Sequence, residues 1–312
     1  MVSCKKYCIL TNDVETTSIL NNCLSDKTGE KVLNEGMPLL LELYAKYNIK
    51  STFFFTGYIA EKYPEVVKII LPYGHEVASH GYSHEFNMAF DVLSLNDQID
   101  HLTRSKSILE NISGQDVTTF RAPAARVNKN TAIALNKTGF KIDSSVASQR
   151  FDMFLSFGGL KKLNWLLSPR IPYYTKENDL WKKGSGPIFE IPISALIMPY
   201  IGTTMRIFPY ISRQLRHILH LETKITGKPI VFLTHPNEFL DEELENEKIQ
   251  RRSSHYISYI LGDVIRRELK LKNLGKKALP LYEREIEFFI SKGYEFLTCK
   301  EYHNIFNNLK KP

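Results

Sequence analysis

The sequence predicts an α/β protein, a distorted (β/α) barrel of mostly parallel strands. Two patterns predict it. Short apolar, β-prone runs alternate with stretches whose apolar residues recur at helical spacing, from the first ten residues to the last thirty. The histidines and acids that attract attention fall just past the ends of those runs, where parallel barrels carry their functional groups. At 312 residues the chain suits one barrel-sized domain with an insertion, and we take residues 1–312 as a single domain.

Taken in order, residues 6–11 read as a buried strand that delivers Asp13 and Glu15 to a loop. Residues 21–36 are polar and turn-rich and read as a loop walling one side of a cleft. Pro38 opens a helix with Leu39, Leu40, Leu43, Tyr44 and Tyr47 on one side. Residues 51–56 form a strand, residues 61–71 a helix interrupted near Pro64, and residues 75–79 a strand that ends at His80. Ser94, followed three residues later by Asp97, caps a helix running to Glu110, with His101 on its solvated side. Residues 118–121, 140–143, 188–193 and 229–234 are strands, with a helix over 128–137 stopped by Gly139.

Residues 147–187 break this rhythm. Phe151, Phe154, Phe157, Trp165, Tyr173 and Tyr174 mark an aromatic-rich insertion near the barrel mouth, whose rings serve as a small core or stack on a ligand. Residues 206–224 and 251–277 read as amphipathic helices with basic outer faces, the first also suited to a membrane surface. Residues 281–291 are helical, and residues 294–298 form the strand that closes the barrel before a last helix.

Hydrophobic residues at 43% and charged residues at 24% are ordinary for a globular chain and exclude general disorder. The net charge of +7 suits phosphate-bearing ligands or an anionic surface, but no nucleic-acid-reading motif accompanies it, so no nucleic-acid partner is expected. Cys4, Cys8, Cys23 and Cys299 have no disulfide-framework spacing. No apolar leader precedes Asp13, so a cytoplasmic location is expected, and no apolar run reaches the ~18–20 residues that span a bilayer.

His80 and His84 lie four residues apart around Gly81, a spacing that lets two imidazoles face one metal ion. Among nine histidines the spacing alone is weak; its companions at other strand ends give it weight. Asp13-Val14-Glu15, Ser79-His80-Gly81-Tyr82-Ser83-His84, Phe120-Arg121-Ala122-Pro123, Asp143-Ser144-Ser145 and Leu233-Thr234-His235-Pro236 occur in that order. Together they resemble the five motifs of the polysaccharide deacetylase family, which includes the nodulation chitooligosaccharide deacetylases (NodB homology) and peptidoglycan deacetylases.

The resemblance implies a metal-dependent hydrolase that removes an N-acyl group, usually acetyl, from an amino sugar. It implies His80 and His84 as metal ligands, Zn first, with Co, Ni or Mn as other candidates. Two imidazoles and a carboxylate leave positions open on such an ion, which lowers the pKa of bound water toward ~7. Val14 stands where the family has its second Asp, so Asp13 is assigned as general base and Glu15 as third ligand, or Asp13 itself is the ligand. Arg121 would orient Asp13, and the backbone N–H of Ala124 would face the oxyanion in place of the family's tyrosine. His235 would be the general acid, with Asp143 setting its tautomer.

With a cytoplasmic location, the expected substrate is a nucleotide- or lipid-linked amino sugar of surface-polysaccharide synthesis, such as lipopolysaccharide O-antigen, with peripheral contact to the inner membrane leaflet. Two rivals stay open: the same fold acting on a formamide or other non-peptide C–N bond, and a non-catalytic glycan-binding or assembly protein with a degenerate site.

Overall fold

The strands of the computed structural model bend around a common interior; residues 5–19, 24–149, 165–241 and 266–309 are described. In chain order the strands are β1 (Lys6–Val14), β2 (Thr52–Phe55), β3 (Glu76–Ser79), β4 (Thr119–Phe120), β5 (Ile142–Asp143), β6 (Tyr173–Lys176), β7 (Asp179–Lys183) and β8 (Phe189–Glu190), then β9 (Ala195–Leu196), β10 (Met198–Pro199), β11 (Ile230–Thr234) and β12 (Tyr294–Phe296). The main sheet runs β11-β1-β2-β3-β4-β5-β8, all parallel, and then turns antiparallel into β6 and β7.

The gap between β8 and β11 is bridged just beyond β8. The Ser194 N–H donates to Val231 O at 3.1 Å, and the Val231 N–H donates to Ser194 Oγ at 3.0 Å. The last strand therefore does not close the ring. β12 pairs with the first residues of β1, Lys6 to Cys8, while β2 pairs with the last, Thr11 to Val14.

Strand alternation sorts the side chains into two cores. Ile9, Phe54, Ala78, Ile142, Ile191 and Val231 pack together inside the curved sheet, and Cys299 and Tyr302 from the helix Cys299–Leu309 close its floor. Cys8, Leu10, Phe53, Phe55, Val77, Phe120 and Phe232 belong to the larger core, with residues of the helices Met37–Lys46, Leu95–Ser113, Lys129–Lys137 and Ala278–Ser291. The buried carboxylate of Glu76 seals the floor by accepting hydrogen bonds from Thr52, Thr119 and the backbone N–H of Lys300, near the positive end of the last helix.

Several expectations need correction. From residue 26 onward the expected wall loop is helical, as Asp26–Lys31 running into a π-helical turn, Val32–Gly36, because Ser25 caps it by accepting from the Thr28 N–H. The expected helix over 206–224 is two helices, Gly202–Ile207 and Pro209–Thr226, since Pro209 cannot continue the first. Of the expected insertion, residues 150–164 lie outside the described residues, with Phe151, Phe154 and Phe157 among them. The described remainder, 165–187, extends the side of the sheet through β6 and β7 and buries Trp165, Leu180 and Trp181 in the larger core. Of the expected basic helix over 251–277, the described part is Arg266–Leu271 and the short turn Gly275–Lys277. Cys8 and Cys299 are buried free thiols, whereas Cys4 and Cys23 lie outside the described residues.

Candidate active site

Inward-facing positions at neighbouring strand ends bring the site together. Thr11 and Asp13 share one face of β1, and a further two residues carry that register to Glu15. His80 follows β3 directly, and its backbone N–H donates to Phe55 O at 2.7 Å, continuing the ladder one step. The chain then turns at Gly81, whose φ of +73° suits glycine, and returns His84 beside His80 with ring centroids 5.7 Å apart.

That turn is held from below by His101. Far from facing solvent, this residue is buried and accepts the Tyr82 N–H at Nδ1, 3.0 Å away. A Cβ on Gly81 would approach the His101 ring within 3.2 Å, so the glycine is required by contact as well as by backbone conformation.

The ligand atoms of Glu15, His80 and His84 all lie within 4.8 Å of one another. His80 Nδ1 sits 2.8 Å from Arg121 O, so the ring donates there and turns the Nε2 lone pair inward. The N–H of Ala124 donates to His84 Nε2 at 3.2 Å, and Glu15 Oε2 lies 3.1 Å from the same nitrogen. Glu15 Oε2 is buried without a hydrogen-bond donor. Two electron-rich atoms this close need a proton or a cation between them, and a His₂-carboxylate donor set suits a divalent ion with open positions. The residues present therefore fit a metal.

Asp13 is buried between Arg121, 2.9 Å from Oδ1, and His80 and His235, whose Nε2 atoms are 3.8 and 4.0 Å from Oδ2. Burial pushes its carboxyl up, but Arg121, then His80 and His235, outweigh burial and leave it below its ordinary value. Glu15 goes the other way: burial raises it more than His235 and His80 lower it. Burial also takes His80 down to about 4, against the pull of Asp13 and Glu15, so its imidazole is neutral and available as a ligand at neutral pH.

Arg121 is fully ordered by its surroundings. Nε donates to Ser144 O, Nη2 to Ser144 Oγ, and Nη1 to Thr11 Oγ1 and Asp13 Oδ1, all within 2.9 Å, while the guanidinium lies over the Phe54 ring. Just beyond it, Ala124 and Ala125 both take left-handed φ values, +50° and +52°. Two successive non-glycine residues in that region are costly, and the conformation turns the Ala124 N–H toward His84.

Asp143 is misplaced by the sequence reading. It does not contact His235; it faces away from the barrel interior and meets Ser145 Oγ at 2.6 Å and Glu190, its partner across the β5–β8 ladder. Burial, with Asp143 beside it, lifts Glu190 well above the usual carboxylate range. The reason is the two-residue period of a strand: Ile142 and Ser144 face inward, hence Asp143 cannot. His235 instead neighbours Glu238, three residues on.

Ser144, Thr11 and His101 are the supporting residues the sequence reading passed over. Alternation from Asp13 and Ile142 points to the first two, whereas nothing local distinguishes His101 from a solvated helix residue.

A profile of the polysaccharide deacetylase family matches residues 23–142, which include His80, His84, Arg121 and Ala124. Residues 23–142 belong to the polysaccharide deacetylase family. The chain is similar to a peptidoglycan deacetylase of Helicobacter pylori, 32% identical over 148 residues, 47% of this chain and 43% of that one. The chain thus spans less than half the length of the first curated relatives it matches.

Among solved structures, a putative polysaccharide deacetylase from Mycobacterium smegmatis aligns with TM-score 0.55 and 24% identity, over 74% of this chain and 77% of that one. An allantoinase aligns with TM-score 0.56 and 15% identity, over 96% and 89% of the two chains. Both share the fold.

Proposed function

We propose that this protein is a metal-dependent N-deacylase of amino sugars. The observation that carries the reading is the placement of Asp13 and His235 beside a cluster of buried Glu15 and His80 with half-buried His84, with Asp13 clamped by Arg121. The donor set suits Zn, with Co, Ni or Mn able to take the same ligands. A divalent ion held there would supply Lewis-acid activation of water and of the amide oxygen.

The chain's own groups do the rest. Asp13, kept ionised by Arg121, accepts a proton from the attacking water. The Ala124 N–H, which donates to His84 Nε2 in the structure, would turn to the oxygen that gains charge in the tetrahedral intermediate once His84 serves as a ligand. His235, partly exposed on the other side of Asp13, delivers a proton to the departing amine. Glu15 sits in the ligand cluster while both Asp13 oxygens face cations or imidazoles, which supports Glu15 as the carboxylate ligand and Asp13 as the base.

The intact base and clamp argue against a non-catalytic binding role. The fold is shared with an allantoinase, so a test includes other C–N bonds. An N-acetylated oligosaccharide, a peptidoglycan fragment, an acetylated nucleotide sugar and a formamide are assayed with native protein and with Asp13→Asn. Amine release from a sugar substrate, lost in the variant, is expected; release from the formamide alone would replace this reading with the rival bond.

For the finer substrate we propose a nucleotide- or lipid-linked amino sugar of surface-polysaccharide assembly, handled in the cytoplasm at the inner leaflet. No described helix is long and apolar enough to cross a membrane. What supports surface contact is the helix Pro209–Thr226, which exposes Tyr210, Ile211, Ile218, Leu221 and Ile225 on one face, flanked by exposed Arg213 and Lys224.

A further inference from the structure

Two serines follow β5, and alternation sends them opposite ways. Ser144 faces inward and serves the Arg121 side chain. Ser145 lies on the outer side with Asp143 and is fully buried, yet the reaction outlined above uses neither residue. What Ser145 holds is a backbone group of the site: the Ala122 N–H donates to its Oγ at 2.9 Å. A hydroxyl oxygen that accepts from an N–H sends its own proton elsewhere, and here it goes to Asp143 Oδ1, 2.6 Å away.

The Ala122 N–H shares one planar peptide group with the Arg121 C=O. That carbonyl accepts the His80 Nδ1–H at 2.8 Å. The two ends of the peptide therefore join Asp143 to His80 in a single line: carboxyl oxygen, serine hydroxyl, peptide N–H and C=O, imidazole Nδ1–H, and last the Nε2 lone pair turned toward the ligand cluster. The direction of the line is fixed, because a carbonyl cannot donate and a peptide nitrogen cannot accept. None of Asp143, Ser145, Ala122, Arg121 and His80 is more than 1% exposed. In so dry a setting each hydrogen bond polarises the next, and the chain strengthens along its length.

The neighbours keep this peptide in place. The Arg121 N–H donates to Ser79 O at 3.0 Å, one residue before His80, and the Ala122 O accepts the Ala125 N–H at 2.8 Å. The sheet thus holds the peptide on one side and the left-handed turn holds it on the other. Beyond Asp143, Glu190 Oε1 accepts the Val146 N–H at 3.1 Å, which fixes the segment that carries Ser145.

We infer that Asp143 and Ser145 are positioning residues of His80, acting through the Arg121–Ala122 peptide to fix its ring and raise the basicity of Nε2. The inference rests on the reading of His80 as a metal ligand made under the proposed function. Asp143 thereby serves the site through a metal ligand and not through His235. The relay asks of Asp143 an accepting oxygen, not a charge.

The test measures Zn²⁺ affinity of the full chain by competition with a chromophoric chelator, and follows the His80 Nδ1–H proton by NMR, assigned from its absence in His80→Ala. Ser145→Ala should weaken Zn²⁺ binding about 10–100-fold, the range for lost outer partners of a metal-bound imidazole, and move the ring proton upfield as its hydrogen bond weakens. Asp143→Ala should do the same in smaller measure, and Asp143→Ala/Ser145→Ala should be no worse than Ser145→Ala, because the carboxyl acts only through the hydroxyl. Asp143→Asn, which keeps an accepting oxygen, should bind Zn²⁺ like native protein. Ser144→Ala also removes a buried hydroxyl but one that serves the Arg121 side chain, so it should leave Zn²⁺ affinity close to native and separates the relay from general loosening. Should Ser145→Ala fail to fold, Ser145→Cys, of similar shape and a poorer acceptor, carries the same prediction.

Native Zn²⁺ affinity with an unmoved ring proton in Ser145→Ala, or equal losses of affinity in Ser145→Ala and Ser144→Ala, overturns the inference. Native protein that binds no Zn²⁺ refutes the metal reading itself. The relay is then decided on the ring proton, which Ser145→Ala should still move.

Discussion

Single side chains divide the labour in this site according to what surrounds them. His80 and His84 bring ligand nitrogens within 4.8 Å of a Glu15 oxygen, so purified native protein should hold about one divalent ion per chain, and His80→Ala/His84→Ala should hold none, read by elemental mass spectrometry. Asp13 has both oxygens occupied by Arg121 and the imidazoles. Asp13→Asn should therefore keep the metal and lose about 10²–10⁴-fold in kcat, the range for a general base. Metal loss in Asp13→Asn would show that Asp13 is itself a ligand. Arg121→Met leaves the Asp13 charge buried and unpaired and should cost about 3–5 kcal/mol in urea unfolding at neutral pH, as when other buried pairs lose one partner.

At the scale of elements, two buried histidines tie turns to the sheet as neutral acceptors. His75 Nδ1 accepts the Ser51 N–H and His101 Nδ1 accepts the Tyr82 N–H. Burial, reinforced by Lys50 and Arg104 respectively, takes each down to about 4 from an ordinary 6.5. Between those values the unfolded chain binds protons that the folded chain refuses. Stability contributed by these groups is thus whole above pH 6.5 and falls as pH drops toward 4, by on the order of a few kcal/mol for each. Urea midpoints measured at pH 7.5 and 5 should differ, and His75→Gln should reduce the difference; an unchanged slope would mean that the ring protonates freely in the folded protein.

The strand elements carry the same lesson. Alternation puts Thr11 and Asp13 on one face of β1, because a buried strand fixes which neighbours share a face. One residue of offset removed Asp143 from the site. Asp143→Asn should leave kcat close to native, since an amide of the same shape keeps an oxygen to accept from Ser145 at a position turned away from Asp13. His101 was unreadable for a different reason: whether a helical histidine is buried depends on a loop nineteen residues earlier folding onto it.

For the whole molecule, the helix Pro209–Thr226 turns an apolar face outward where most surface helices present charge. If that face meets the inner leaflet, the protein should sediment with vesicles containing phosphatidylglycerol more than with phosphatidylcholine alone, and less at high salt. Ile218→Glu/Leu221→Glu should abolish sedimentation while leaving metal content and soluble-substrate turnover unchanged. Native protein that stays in the supernatant with both vesicle types would end the membrane proposal.

By itself the sequence determined the parallel α/β architecture, the order of the strands and the residues at their ends. Those features follow from local periodicity, turn chemistry and two-residue alternation, all written within a few neighbours of each position. Only the tertiary structure decided that Ser194 bridges the gap between β8 and β11, that Asp143 pairs with Glu190, and that Glu238 with Arg206 sits beneath His235. Each of these joins residues from separate elements, and the energy that selects them comes from burial and charge pairing across the fold, which no local pattern in the chain encodes.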